Sequence, residues 1–212
     1  MESDYSSQEG ASQPGGGGIP TPLVILGVFA VALAAVLWRT DTSAGRPPVP
    51  SGTSWPGVQA DGWLNAPAGD DVAGSDDVAG SDFDINAVVN SGDVVFVDCM
   101  ASWCGPCLAE MPRIVEAADA YRPLGVQFVS LSMETERDVQ KLQDFLDASP
   151  GANWPLGYGC KGFFDRLGIQ GIPTFIIFVD GQVSWSGYGG QNFTNALDAA
   201  VAVGRSGRKS GQ

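Results

Sequence analysis

The pattern of apolar and polar positions divides the 212 residues into five stretches. Residues 1–18 are polar and Gly/Ser-rich, with no periodic apolar positions, which is the pattern of a disordered, solvated tail. Ile19–Trp38 is a run of twenty residues without a charge. As a helix rising about 1.5 Å per residue it matches a bilayer core roughly 30 Å thick, so a transmembrane helix is expected. A cleaved signal peptide is the competing reading; the segment lacks the basic n-region and the small-residue cleavage site that this would need. Residues 39–60 are rich in Pro, Gly and Ser and are expected to form a flexible linker. Residues 61–204 carry the periodic signals of a folded domain, interrupted at 69–84 by an acidic loop in which DDVAGS occurs twice, at 70–75 and 76–81. Its paired aspartates lack the alternating acids, Gly and Glu of a calcium-binding EF-hand loop. Residues 205–212 are expected to be a disordered basic tail.

Inside the domain the periods alternate. Val94–Val97 is a short apolar run of the kind a buried parallel strand gives, and Val126–Leu131 reads as a second. Between them Leu108, Met111, Val115 and Ala118 recur at helical spacing. Val139, Leu142, Phe145 and Leu146 mark a helix within Glu136–Ala148, and a further helix is expected near Gly162–Leu167. Thr174–Val179 and Gln182–Tyr188 flank Asp180-Gly181, a two-residue hairpin signal. A last helix, with Phe193, Leu197, Ala200 and Val201 on one face, is expected to close before Gly204. Strands alternating with helices and ending in a hairpin predict an α/β fold with a central mixed β-sheet flanked by helices.

Composition then narrows the chemistry. The chain has no histidine, which excludes Ser-His-Asp and Cys-His hydrolases and His-ligated metal sites. The net charge is −13, with no basic stripe to set against it, which argues against a nucleic-acid partner. Four cysteines are too few for a disulfide scaffold at this length, but two of them, Cys104 and Cys107, stand at CxxC spacing. They follow a strand and open a helix. A thiolate at a helix N-terminus is stabilised by unpaired N–H groups and the helix dipole, which lowers the pKa of Cys104 and makes it a nucleophile. Cys107, one turn on, is placed to resolve a mixed disulfide. Pro106 suits a first helical turn. A structural zinc half-site is the competing reading; without histidine it would need Cys99, Cys160 or carboxylates as further ligands. Cys99 is expected to be a buried hydrophobe on the face opposite Asp98, and Cys160 a conceivable third redox thiol.

The run VVFVDCMAS before WCGPC, with Gly-Ile-Pro-Thr at 171–174, resembles the thioredoxin superfamily, and within it the membrane-anchored TlpA/ResA-like thiol–disulfide oxidoreductases. The likeness extends over roughly Trp63–Val203. The run Cys107-Leu108-Ala109-Glu110-Met111-Pro112 and the insertion between the strand at 126–131 and the helix at 162–167 are similar to that group. The resemblance implies a thioredoxin-like domain on an N-terminal transmembrane helix. It implies Cys104 and Cys107 as the redox pair and no other cofactor. It also implies Asp98 as a buried proton acceptor for Cys107, Glu134 as an acid tuning the cysteines, and Trp103, Gly105, Pro106, Ile172 and Pro173 as substrate contacts, with Ile172-Pro173 the family's cis-proline.

Gly-Pro between the cysteines implies a reductant of disulfides in partner proteins, recharged by a membrane electron donor and acting as a monomer. A folding oxidase or isomerase of exported proteins, a tethered module that binds without turnover, and metal delivery through the paired thiols are the alternatives. The resemblance places the domain outside the cytoplasm, on a single-pass anchor at residues 19–38. Arg39 and Arg46 on the C-terminal side of that segment oppose this by the positive-inside rule.

Overall fold

A computed structural model of the protein describes residues 47–66, 83–91 and 94–210. The expected N-terminal tail, the segment 19–38 and the repeat at 70–81 lie outside the described residues. Among the described residues no helix is long and apolar enough to cross a membrane.

Apolar residues on both faces of a strand demand cover on both sides, and the sheet is built around one such strand. All seven residues of β2 (Val94–Met100) are buried. It pairs in parallel with β3 (Val126–Ser132) and antiparallel with β5 (Thr174–Val179). Outside these lie β4 (Leu156–Tyr158), parallel to β3, then β1 (Gly62–Leu64); on the other side β6 (Gln182–Tyr188) closes the hairpin with β5. The order is β1-β4-β3-β2-β5-β6, a mixed sheet as expected. Asp180 and Gly181 take φ of 50° and 71°, the two positive values that a type I′ hairpin needs.

Because side chains alternate along a strand, β2 feeds two cores. Val94, Phe96 and Met100 join the face covered by α2 (Gly105–Tyr121), α3 (Val139–Asp147) and α5 (Thr194–Ser210). Val95, Val97 and Cys99 join the other, covered by α1 (Ile85–Asn90) and α4 (Lys161–Leu167). Phe96 is the hub of the first core, its ring 5.1 Å from Phe128, 5.6 Å from Phe175 and 5.1 Å from Phe193.

Three local expectations need correction, and one helix has no counterpart among them. The buried stripe of α2 is Cys107, Met111, Ile114, Ala118 and Tyr121, whereas Leu108 is 39% exposed. Cys107 turns inward to bond Cys104, and at about 100° per residue this carries its neighbour Leu108 outward. The helix at 85–90 gives no long periodic signal; Asp84 caps it, accepting from the Asn86 amide at 2.9 Å. α5 continues past Gly204 to Ser210, so helical backbone occupies most of the expected basic tail.

The third correction is the linker. Its second half, residues 47–60, is folded onto the domain. Ser54 bridges Gln182, and Gly52 N–H donates to Val183 O at 2.8 Å, so this segment covers the edge of β6. Val49 and Val58 are buried, and the Trp55 ring lies 5.2 Å from Phe163 and 4.9 Å from Phe178. Three apolar anchors outweigh the turn-forming composition around them.

Candidate active site

β2 ends at Met100, and the chain turns through Ala101, Ser102 and Trp103 before α2 begins. Cys104 is the N-cap of α2, in extended conformation, with Pro106 in the first turn. Its sulfur accepts a hydrogen bond from the Cys107 amide at 3.1 Å, so one of the otherwise unpaired N–H groups of the helix end points at the sulfur. Cys104 and Cys107 are joined as a disulfide, 3% and 1% exposed, beneath an exposed Gly105-Pro106 and an indole at Trp103 that is 70% exposed.

Ile172-Pro173 is a cis peptide bond immediately before β5. Gly171, Ile172 and Pro173 share a cleft of about 420 Å³ with Pro106, Ala109 and Glu110 of α2, with Tyr188 at the end of β6 and with Gly189 and Gly190 beyond it. The fold therefore sets Pro173 across from the cysteine motif although the two are far apart in sequence. The cleft keeps its shape through two residues absent from the sequence-derived set. Glu110 Oε1 accepts from the Gly190 amide at 2.7 Å while its Oε2 pairs with Arg113 at 2.6 Å, tying α2 to the loop after β6. Gly189 lies against Pro173: a Cβ there would come within 2.6 Å of Pro173 Cγ. Glu110 stood in the run after the cysteines that carries the resemblance; nothing local marked Gly189.

Asp98 faces the α2 side of the sheet, since it alternates with Phe96 and Met100, and it is 1% exposed. Its Oδ2 accepts from Ser130 Oγ at 3.1 Å. Burial raises its pKa to about 7; the Ser130 hydrogen bond opposes the rise and the charge of Glu110 adds to it. A carboxyl group that titrates there can take or give a proton at neutral pH.

Glu134 follows β3 and turns toward the loop before Cys104. Its carboxylate accepts from Ser102 N–H at 2.7 Å, Ser102 Oγ at 2.5 Å and Ser132 Oγ at 3.0 Å. It acts on the backbone that presents Trp103 and Cys104. Cys99 and Cys160 are both free and fully buried. Burial pushes the Cys160 thiol up to about 12 and the Cys99 thiol well above its ordinary range, so neither supplies a thiolate at neutral pH. Among the described residues no group of three or more Cys, Asp or Glu is placed to hold a metal ion.

A parallel core of three strands, an antiparallel hairpin, and a CxxC disulfide at a helix N-terminus across a cleft from a cis-proline define a thioredoxin-fold thiol–disulfide oxidoreductase. The chain belongs to the Redoxin family, whose model matches residues 51–202. It is 29% identical to a thioredoxin of Aspergillus fumigatus over 96 residues, 45% of this chain and 64% of that protein. It is 23% identical to a thioredoxin of Coprinus comatus over 99 residues, 47% of this chain and 71% of that protein. Among solved structures, the thioredoxin domain of a thiol-disulfide oxidoreductase from Bacteroides vulgatus is similar with a TM-score of 0.57 at 17% identity, covering 72% of this chain and 99% of that one. A thiol:disulfide interchange protein from Bacteroides sp. gives 0.53 at 17%, covering 73% and 92%. These two likenesses carry the fold.

Proposed function

We propose that the protein is a membrane-tethered reductase of disulfides in partner proteins, working outside the cytoplasm. The observation that carries the reading is the Cys104–Cys107 disulfide at the head of α2, with Asp98 buried on the α2 side of the sheet. In the reduced protein the Cys104 thiolate attacks a partner disulfide, forming a mixed disulfide and releasing one partner thiolate. Cys107 then gives its proton to Asp98, attacks Cys104 Sγ and expels the second partner thiolate, which takes a proton from water. The partner leaves reduced by two electrons and Cys104–Cys107 is oxidised. A dithiol donor in the membrane restores it.

Trp103, Gly105, Pro106, Ile172 and Pro173 receive the partner. The cleft between Pro106 and Pro173 accepts an extended segment, whose backbone pairs with Ile172. Trp103 and Leu108, exposed on either side of the pair, and Tyr188, exposed at the cleft, suit an apolar protein surface better than a small polar thiol. Glu134 serves by holding the Ser102 backbone. Tethering rests on the uncharged segment 19–38.

The direction is supported by Gly-Pro between the cysteines, since the dipeptide there helps set a potential that ranges from about −270 mV in thioredoxin to about −120 mV in DsbA. The full chain, supplied with a dithiol, is expected to reduce insulin, and Cys104→Ser to abolish this. A potential near the oxidising end overturns the reductase assignment. Cys107→Ser, which cannot complete the exchange, is expected to trap the physiological partner as a mixed disulfide.

A further inference from the structure

Ser130 sits opposite Asp98 in the β2–β3 register, and its hydroxyl donates to Asp98 Oδ2 at 3.1 Å. The same hydroxyl oxygen accepts from Trp154 Nε1 at 2.9 Å. Trp154 precedes β4, is buried, and is held in place from several sides. The Ser130 amide donates to Pro155 O at 2.9 Å, the Phe128 ring lies 6.0 Å away, and the Arg122 guanidinium rests 5.8 Å over the indole. An indole N–H can only donate, and a serine hydroxyl has one proton. With Trp154 filling a lone pair of Ser130 Oγ, the hydroxyl proton is directed to Asp98. Oδ2 is thereby fixed as an acceptor. Oδ1 is buried, and among the described residues nothing donates to it.

We infer that Trp154 and Ser130 are positioning residues for Asp98, reserving Oδ2 for a standing hydrogen bond and leaving Oδ1 as the oxygen that exchanges the proton of Cys107. This rests on the reductase reading and adds to it the side chains that orient its proton acceptor. Each element packed around Asp98 has its part. α2 brings the charge of Glu110 and carries Cys107 in the same core as Phe96 and Met100, the residues of β2 that flank Asp98 on that face; β3 brings Ser130; β5 brings the apolar Phe175 opposite Asp98; on β2 itself Cys99 points to the other face. The Ser130 hydrogen bond favours the carboxylate, against the burial that raises its pKa. Losing it leaves Asp98 protonated, and unable to accept from Cys107, up to a higher pH.

The step to measure is the resolving one. The reduced full chain is reacted with Ellman's reagent, and release of thionitrobenzoate from Cys104 is followed between about pH 5 and 9 as Cys107 attacks. In this step the Cys107 proton goes to Asp98, the Cys104–Cys107 bond forms, and the aryl thiolate departs with the electron pair of the broken bond. In the parent the rate is expected to rise with a midpoint near 7. Ser130→Ala is expected to move the midpoint up by about one pH unit, the equivalent of one modest hydrogen bond. Trp154→Phe moves it the same way by less, and Ser130→Thr restores it.

The Asp98 side-chain carbon, titrated by NMR in the oxidised protein, reports the same shift without any turnover. A parent rate that does not depend on pH sinks the proton-acceptor reading. A normal parent profile, unchanged in both Ser130→Ala and Trp154→Phe, sinks the relay alone. If Ser130→Ala does not fold, Trp154→Phe and the NMR titration decide the matter.

Discussion

Glu134 Oε2 accepts the backbone N–H of Ser102 at 2.7 Å, across 32 residues of sequence. Two strands of the sheet are joined at the point where the chain leaves β2 for the cysteines. An ionised acceptor with three donors on it is worth more than a neutral one. Glu134→Ala is therefore expected to cost about 2–3 kcal/mol of stability. Glu134→Gln, which keeps one carbonyl oxygen, is expected to cost less. Urea unfolding of the oxidised protein measures both. Hydrogen exchange at the Ser102 amide should quicken in the Ala variant while amides in the middle of β3 stay protected, because the damage is confined to the loop.

Asp98 binds a proton more tightly in the folded chain, at about 7, than its ordinary value of 3.8. Between these values the folded state carries a proton that the unfolded state has lost. Stability attributable to this group is therefore complete below about pH 4, falls as pH rises towards 7, and is flat above that. Asp98→Asn has no ionisation to suppress, so it is expected to be more stable than the parent at pH 8, by a few kcal/mol at most. Near pH 4 the two should be almost equal. Denaturant midpoints at the two pH values test this; equal gains at both would mean that packing, and not ionisation, is responsible.

How much of this could be read from the chain follows from how local each signal is. WCGPC, Asp180-Gly181 and the run at 174–179 state their geometry within a few residues, and all three stand where the sequence predicts. The expectation of a cis bond at Ile172-Pro173 comes from the family resemblance, not from any local geometric signal. Ser130, Trp154, Glu110 and Gly189 act through partners 16 to 80 positions away, and no single segment carries that information. Residues 47–60 misled for a different reason. Their composition favours turns, and the strand edge that makes turns useful there, β6, lies more than 120 residues further on.

At Gly189 the restriction is space. A methyl group would stand 2.6 Å from Pro173 Cγ and 3.7 Å from Glu110 Cγ, and Pro173 is held in a ring with no rotamer to escape into. Gly189→Ala is expected to cost about 1–3 kcal/mol by overpacking and to push Pro173 into the cleft. The KM for a protein disulfide should rise several-fold, while alkylation of reduced Cys104 by a small reagent should keep its rate. Loss of both together would place the effect at the cysteines.

The segment 47–60 carries the last prediction. Asn86, on the helix before β2, clamps it from both sides: Nδ2 donates to Val58 O at 3.0 Å, and Oδ1 accepts from Val58 N at 2.8 Å and from Trp55 Nε1 at 3.0 Å. Further along, Ser186 Oγ donates to Val49 O at 2.6 Å and accepts from Val49 N at 3.0 Å. A chain beginning at Asp61 loses these bonds, uncovers apolar surface on Phe163 and Phe178, and leaves the β6 edge open to pair with another molecule. It is expected to unfold at clearly lower denaturant concentration than a chain beginning at Pro47, and to scatter light as its concentration rises. Asn86→Ala in the full chain should reproduce part of the loss, about 1–3 kcal/mol, by leaving the Val58 backbone groups unpaired. Equal stability of the two truncations would return the segment to the role of a linker.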